Sequence, residues 1–197
     1  MKKLRLVITG NPGVGKHTSA KVIAERINAE IIDINKVAID NNATGKKTDL
    51  GFDVDVKRLV RLLEKLLKTK GDLVIVGHLA PYVLKPGGIS LVAVLRRSPY
   101  ELEKTLKKRG YSVDKVRENV ASEILGTSLY DSLKTFGKRK VAEFDTTGKS
   151  PEETADEILT ALQKNTKSKS KPKSKLLGID WLILVSEKED MRRFFKY

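Results

Sequence analysis

The chain contains no cysteine. Disulfides and thiolate catalysis are therefore excluded, and the composition fits an intracellular, cytoplasmic protein. Long apolar runs are also missing. No stretch approaches the roughly 20 residues needed to cross a bilayer, so no membrane partner is expected. The N-terminal apolar run, 4–9, is too short for a signal peptide and passes straight into a glycine-rich segment. Positive charge, by contrast, is abundant: 39 Lys+Arg against 25 Asp+Glu give a net charge of +14. Residues 1–163 contribute +8 and residues 164–197 contribute +6, so the tail alone does not account for the excess. Such a balance favours polyanions, either nucleotides or RNA, and equally suits a lysine-rich surface kept for solubility or thermal stability. With 197 residues, 40% of them apolar, the chain can form one ordinary domain and an appendage.

The most informative segment is Gly10-Asn11-Pro12-Gly13-Val14-Gly15-Lys16-His17-Thr18, which directly follows the apolar run. A strand, a glycine-rich turn and a helix start in this order form a P-loop, the phosphate cradle of nucleotide-binding proteins. The turn lets backbone N–H groups of Gly13, Val14, Gly15, Lys16, His17 and Thr18 face a phosphate. The helix N-terminus adds partial positive charge, and Lys16 reaches the outer phosphates. One position departs from the pattern. The residue after the lysine is ordinarily Ser or Thr, whose hydroxyl ligates Mg²⁺. Here it is His17, and imidazole is a poorer ligand for an oxygen-preferring ion. Thr18 still offers a hydroxyl or N–H close by.

Apolar spacing predicts a helix over 16–27, a strand over 30–34, a polar loop over 41–53 and an amphipathic helix over 56–67. Continuous apolar strands follow at 73–77 and 91–95. Unbroken apolar strands separated by helices indicate a parallel sheet covered on both faces. Further helices are predicted over 99–109 and 115–133, then an edge-like strand over 141–144. A last helix over 150–163 opens on a Ser150/Glu153 capping box. Residues 164–175 read as a flexible basic Lys/Ser/Pro linker. Residues 176–197 regain apolar content, as a strand and a short helix, but are too few to fold alone and are expected to dock on the main domain or a partner.

Several residues lie where ligands bind in open α/β sheets, beyond the C-terminal ends of strands. Asp33 and Asn35 follow the second strand; Asp33 is placed to hold Mg²⁺ through water, and Asn35 to cap a following helix. Arg96, with Arg97, follows the strand at 91–95 and either reaches a substrate phosphate or is a solvated charge. Arg109 ends a helix, where it favours the negative helix terminus or closes over phosphates.

With these pieces the chain resembles the adenylate kinase isoenzyme six (CINAP-type) family, in an archaeal-type form, over residues 1–163. Besides residues 10–18, the resemblance rests on Ile32-Asp33-Ile34-Asn35, Val74-Ile75-Val76-Gly77-His78 and Val94-Leu95-Arg96. It continues in Lys108-Arg109-Gly110-Tyr111, Glu118-Asn119 and Ser122-Glu123-Ile124. It implies an α/β fold of the P-loop NTPase class: an adenylate-kinase-like three-layer fold with a central parallel five-stranded sheet. It implies a monophosphate-binding region over about 33–56 and a short lid over about 108–118. The implied reaction is ATP + AMP to 2 ADP, with Mg²⁺ as cofactor and ATP hydrolysis as an accompanying activity. The implied partners are a small-subunit platform ribosomal protein, bound and released with ATP, and pre-ribosomal RNA. Arg109 becomes the lid arginine, His78 a catalytic residue and Lys149 a nucleotide contact. The family pattern Asp-x-His has Val76 in place of its aspartate, a second departure at the metal. An ATP-switched assembly factor with little kinase activity, or a kinase of similar fold acting on shikimate, gluconate or another small acceptor, stand as alternatives.

Overall fold

A computed structural model of the chain describes residues 3–48, 51–167 and 178–195. Its frame is a five-stranded parallel sheet in the order β2-β5-β1-β6-β7. The strands are β1 (Arg5–Thr9), β2 (Glu30–Asp33), β5 (Leu73–Val76), β6 (Leu91–Arg96) and β7 (Val141–Asp145). The three middle strands are apolar on both sides because helices cover both faces. Leu6, Ile8, Val74, Ala93 and Leu95 point into one core, with α1 (Lys16–Ile27), α5 (Pro99–Lys108), α6 (Val113–Ile124) and α8 (Pro151–Lys167). Val7, Ile75, Val92 and Val94 point into the other, with α2 (Ile34–Asp40), α3 (Val56–Thr69), α4 (Ala80–Val83) and α7 (Thr127–Phe136). The predicted class, a three-layer P-loop fold around a parallel five-stranded sheet, is the one found. No described helix is long and apolar enough to cross a membrane.

Three local predictions need correction. The segment 41–53 is not a simple loop, because β3 (Thr44–Thr48) and β4 (Gly51–Val54) pair there as an antiparallel hairpin. Its lysines and glycines hide the alternation that marks a strand, and a backbone bond from Asp55 N–H to the Ala43 carbonyl closes its base. The single helix expected over 115–133 is two helices, α6 and α7, broken at Gly126 with φ +66°. Apolar spacing runs on through the break, yet α6 buries Val116, Val120 and Ile124 on one face of the sheet, while α7 buries Phe136 on the other. The strand expected in the C-terminal segment is replaced, among the described residues, by α9 (Leu182–Glu187) and a 3₁₀ turn over Glu189–Phe195. Met191 and Phe194, three apart and so on one side of a 3₁₀ helix, enter the first core. The capping box is present as read: Ser150 N–H donates to Glu153 at 2.8 Å and Glu153 N–H to Ser150 Oγ at 3.1 Å. Helix α8 continues to Lys167, past the expected start of the linker at 164; the linker from 168 on lies outside the described residues.

Where the chain crosses from α6 to α7 it is fastened by a buried ionic cluster. Arg96, 1% exposed at the end of β6, donates Nε to Glu123 at 2.6 Å, Nη2 to the Glu123 carbonyl at 2.7 Å and Nη1 to Glu143 at 2.5 Å. The second Glu143 oxygen accepts the N–H groups of Gly178 at 2.9 Å and Ile179 at 3.4 Å. Removing one partner of such a cluster strands buried charge, at a cost of about 3–5 kcal/mol. Arg96→Ala is therefore expected to lose that much stability in urea unfolding, with Arg96→Lys intermediate. A loss under about 1 kcal/mol, the range of exposed pairs, would show that the cluster is not structural.

Candidate active site

The P-loop leaves the C-terminal end of β1 in a conformation that needs glycine. Gly10 has φ +133°, and a Cβ there would lie 2.4 Å from the Leu95 carbonyl oxygen. Gly13, at φ +91°, lies against α5, and a Cβ would lie 2.8 Å from Leu102. Helix α1 starts at Gly15 with no side-chain cap. The N–H groups of its first turn have no acceptor further back in the helix, so the turn presents donors and the positive end of the dipole to the cleft. Lys16 is buried and donates to the loop's own carbonyls, Gly10 at 3.0 Å and Asn11 at 2.8 Å. Burial, then the nearby Arg109 charge, lowers its pKa to about 8, against the opposing pull of Glu123 and Asp33. Thr18 turns its hydroxyl back to the Gly15 carbonyl, at 2.8 Å.

Asp33, His78 and Arg109 converge with Lys16. Asp33 ends β2 beside Val76, the last residue of β5, and His78 follows one residue beyond Gly77. Burial and then the Lys16 charge hold the His78 pKa below the usual imidazole value, with Asp33 opposing, so the ring is neutral at pH 7. Arg109 is exposed at the end of α5, within electrostatic reach of Lys16. His17 Nε2 meets Asp33 Oδ2 at 2.8 Å. The other Asp33 oxygen accepts the Asn35 N–H at 2.9 Å and the Lys36 N–H at 3.2 Å. Asp33 is therefore the cap of α2, and the reading of Asn35 as that cap is corrected. An aspartate at the strand end reaches the N–H groups two and three residues on, whereas Asn35 already lies within the helix.

Arg96 is also corrected. It neither faces a substrate phosphate nor is solvated, because Glu123 and Glu143 take up its guanidinium inside the core. Arg97 pairs with Glu101 at 3.0 Å and reaches the Gly13 carbonyl at 3.4 Å. Lys149 lies in the β7–α8 loop, whose Thr146 hydroxyl donates to the Val14 carbonyl at 3.1 Å, but the Lys149 ammonium pairs with Glu157 at 2.7 Å. Sequence reading missed Asn11 and Glu123 as a structural pair. Asn11 Nδ2 donates to Glu123 at 2.7 Å, while its oxygen accepts from Ser122 at 3.0 Å and Ser128 at 3.3 Å. Asn11 occupies a variable position of the motif, and its partners lie more than 110 residues away, so no local signal marks it.

The donor set does not suit Mg²⁺. The residue after the P-loop lysine offers imidazole instead of a hydroxyl, the Thr18 hydroxyl donates to the Gly15 carbonyl, and the strand-end position 76 carries a buried valine. Among the described residues no group of three or more His, Asp or Glu side chains is arranged to hold a metal ion.

The arrangement can hold a polyphosphate between the α1 N-terminus, Lys16 and Arg109. A family model for an AAA domain matches residues 6–126. A Pyrococcus furiosus protein named "Putative adenylate kinase" is 38% identical over 183 residues, covering 92% of this chain and 93% of that protein. Its namesake from Methanocaldococcus jannaschii is 34% identical over 162 residues, covering 81% and 86%. Among solved structures, a gluconokinase from Sinorhizobium meliloti 1021 aligns with TM-score 0.55 at 16% identity, over 83% of this chain and 93% of that one. Shikimate kinase from Acinetobacter baumannii, in complex with shikimate, aligns with TM-score 0.53 at 18% identity, over 85% and 97%. At such identities the structures establish a shared fold only. By the matched domain and the near full-length identity to its archaeal relatives, the chain belongs to the AAA domain family of P-loop proteins.

Proposed function

We propose that the protein is a nucleoside monophosphate kinase that transfers the γ-phosphoryl group of ATP to AMP. The observation that carries this reading is Lys16: a buried ammonium that, among the described residues, donates to two loop carbonyls, under the charge of Arg109, in a chain whose relatives over 92% of its length bear the name "Putative adenylate kinase". An arriving phosphate replaces the Gly10 and Asn11 carbonyls as the acceptor for Lys16. The α1 N–H groups hold the same phosphate, and Arg109 adds a second cation where charge develops during transfer. Helix α2 and the β3–β4 hairpin, within residues 33–56, form the monophosphate-binding region. Residues 108–118, hinged at Gly110 with φ +73°, form the lid that brings Arg109 down and excludes water. Lys149 contacts the nucleotide on leaving Glu157.

A second reading is favoured by His17 and Val76, which replace oxygen donors: an ATP-switched factor with ATPase activity and little kinase activity. In that role it binds and releases a platform ribosomal protein during small-subunit maturation. The net charge of +14 suits such contact with rRNA.

Purified protein with ATP, AMP and a divalent cation, monitored for ADP and free phosphate together, separates the two. AMP-dependent ADP formation without phosphate, absent in Lys16→Ala and about 10²–10³-fold slower in Arg109→Ala, is the expected result. Phosphate release independent of AMP would overturn the kinase reading in favour of the switch. Binding of ADP in EDTA follows Lys16 ionisation. Bound phosphate favours the charged form, so affinity is full below about pH 8 and falls as pH rises through that value. The fall is expected to be absent from the weak binding of Lys16→Met, with calorimetry at pH 6.5 to 9.5 as the measurement.

A further inference from the structure

His17 stands at the position from which a P-loop ordinarily supplies a hydroxyl to the cation on a bound nucleotide. The adjacent hydroxyl, Thr18 Oγ1, is directed to the Gly15 carbonyl, to which it donates at 2.8 Å. No carboxylate stands at the end of β5, where Val76 is fully buried. What the site holds instead is an imidazole fixed by a carboxylate. Asp33 accepts from His17 Nε2 at 2.8 Å, and its other oxygen is pinned by two backbone N–H groups of α2. The carboxylate thus cannot turn away without uncapping a helix. An imidazole that donates Nε2–H to a carboxylate carries its lone pair on Nδ1, and carboxylate–histidine pairing of this kind is how metal-binding histidines are oriented and made more basic. As a stabilising contact the pair has little to offer: the His17 side chain is 54% exposed and that of Asp33 26%, and such pairs contribute at most about 1 kcal/mol.

Resting on the nucleotide-binding reading above, we propose that His17 ligates the divalent cation carried by the bound nucleotide, with Asp33 as its orienting partner, and that the site takes Mn²⁺ or Co²⁺ in preference to Mg²⁺. A nitrogen ligand raises affinity for first-row transition ions relative to Mg²⁺, which strictly prefers oxygen, and does so less for Mn²⁺ than for Co²⁺. One protein nitrogen is enough, because the phosphates and water supply the remaining positions. That agrees with the lack of a three-residue cluster among the described residues. The proposal assigns residue 17 a choice of metal, not a role in the transfer itself.

The test is spectroscopic. The full-length protein is prepared with ¹⁵N-labelled histidine, saturated with ADP and Mn²⁺, and studied by pulsed electron paramagnetic resonance. The label separates histidine nitrogen from adenine nitrogen. A directly bound ¹⁵N coupling that disappears in His17→Ser is expected. In parallel, the ratio of ADP affinity with Mn²⁺ to that with Mg²⁺ is expected to fall about tenfold in His17→Ser. ADP and Mn²⁺ bound without ¹⁵N coupling in the wild type overturn the proposal, as does a coupling that survives in His17→Ser. Calorimetry of ADP in EDTA distinguishes the other failure: wild-type protein that binds no ADP there or with either cation overturns the nucleotide reading, and this proposal with it.

Discussion

The nucleotide cleft depends on a salt bridge it does not display. Arg96 lies buried between Glu123 and Glu143, and each carboxylate uses its remaining capacity elsewhere: Glu123 on Asn11 of the P-loop and the Arg97 N–H, Glu143 on the backbone of Gly178 and Ile179. One guanidinium faces two carboxylates, so the cluster is stable in a low-dielectric core only because N–H donors and the nearby Lys16 ammonium offset the extra negative charge. The same atoms therefore fasten the end of β6, the α6–α7 crossing, the edge strand β7, the C-terminal segment and the loop that receives phosphate. A cluster of this kind is a poor source of net stability compared with apolar packing. What it supplies is position: Asn11 is fixed by three side chains, and the Asn11 carbonyl is one of the two that hold Lys16.

Lys16 is the complementary case, a group left incompletely satisfied. It has three donors and two carbonyl acceptors, and it lies beside Arg109 in a buried position that penalises its charge. A phosphate oxygen relieves both the missing hydrogen bond and the repulsion. Binding energy is thereby concentrated where the nucleotide's own charge is greatest, as electrostatic preorganisation requires. Glu123 and Asp33 oppose the loss of its proton before the ligand arrives.

What could be read from the sequence was local chemistry. The P-loop, helix α1 and the apolar strands β1, β5 and β6 follow from glycine conformations and from apolar runs a few residues long, so order and spacing in the chain disclose them. Arg96 shows where this stops. Its position after a strand resembles that of a ligand-binding arginine, and only Glu123 and Glu143, 27 and 47 residues away, reveal that it faces the core. Gly126 was equally opaque, since the apolar period continues across it while the chain passes from one face of the sheet to the other. The hairpin β3–β4 carries too little apolar alternation to announce itself. The sequence marks Asp33 as a cleft residue but not as a helix cap, because both roles call for the same residue type at a strand end.

The C-terminal segment shows how a stretch that sequence composition separates from the domain becomes part of its interior. Low-complexity sequence precedes it, and it is too short to fold alone. Yet Met191 and Phe194 lie in the same core as Leu6 and Ile8, and Arg193 pairs with Glu103 of α5 at 2.8 Å. Its first described residues donate their N–H groups to Glu143 on the edge strand. They satisfy a carboxylate that would otherwise be half-paired in the core. Since Glu143, Arg96, Glu123 and Asn11 form one continuous hydrogen-bonded chain, the geometry of the phosphate loop and the seating of this segment are linked through side chains alone. The linkage reaches the cleft at one point, the Asn11 carbonyl that accepts from Lys16 at 2.8 Å.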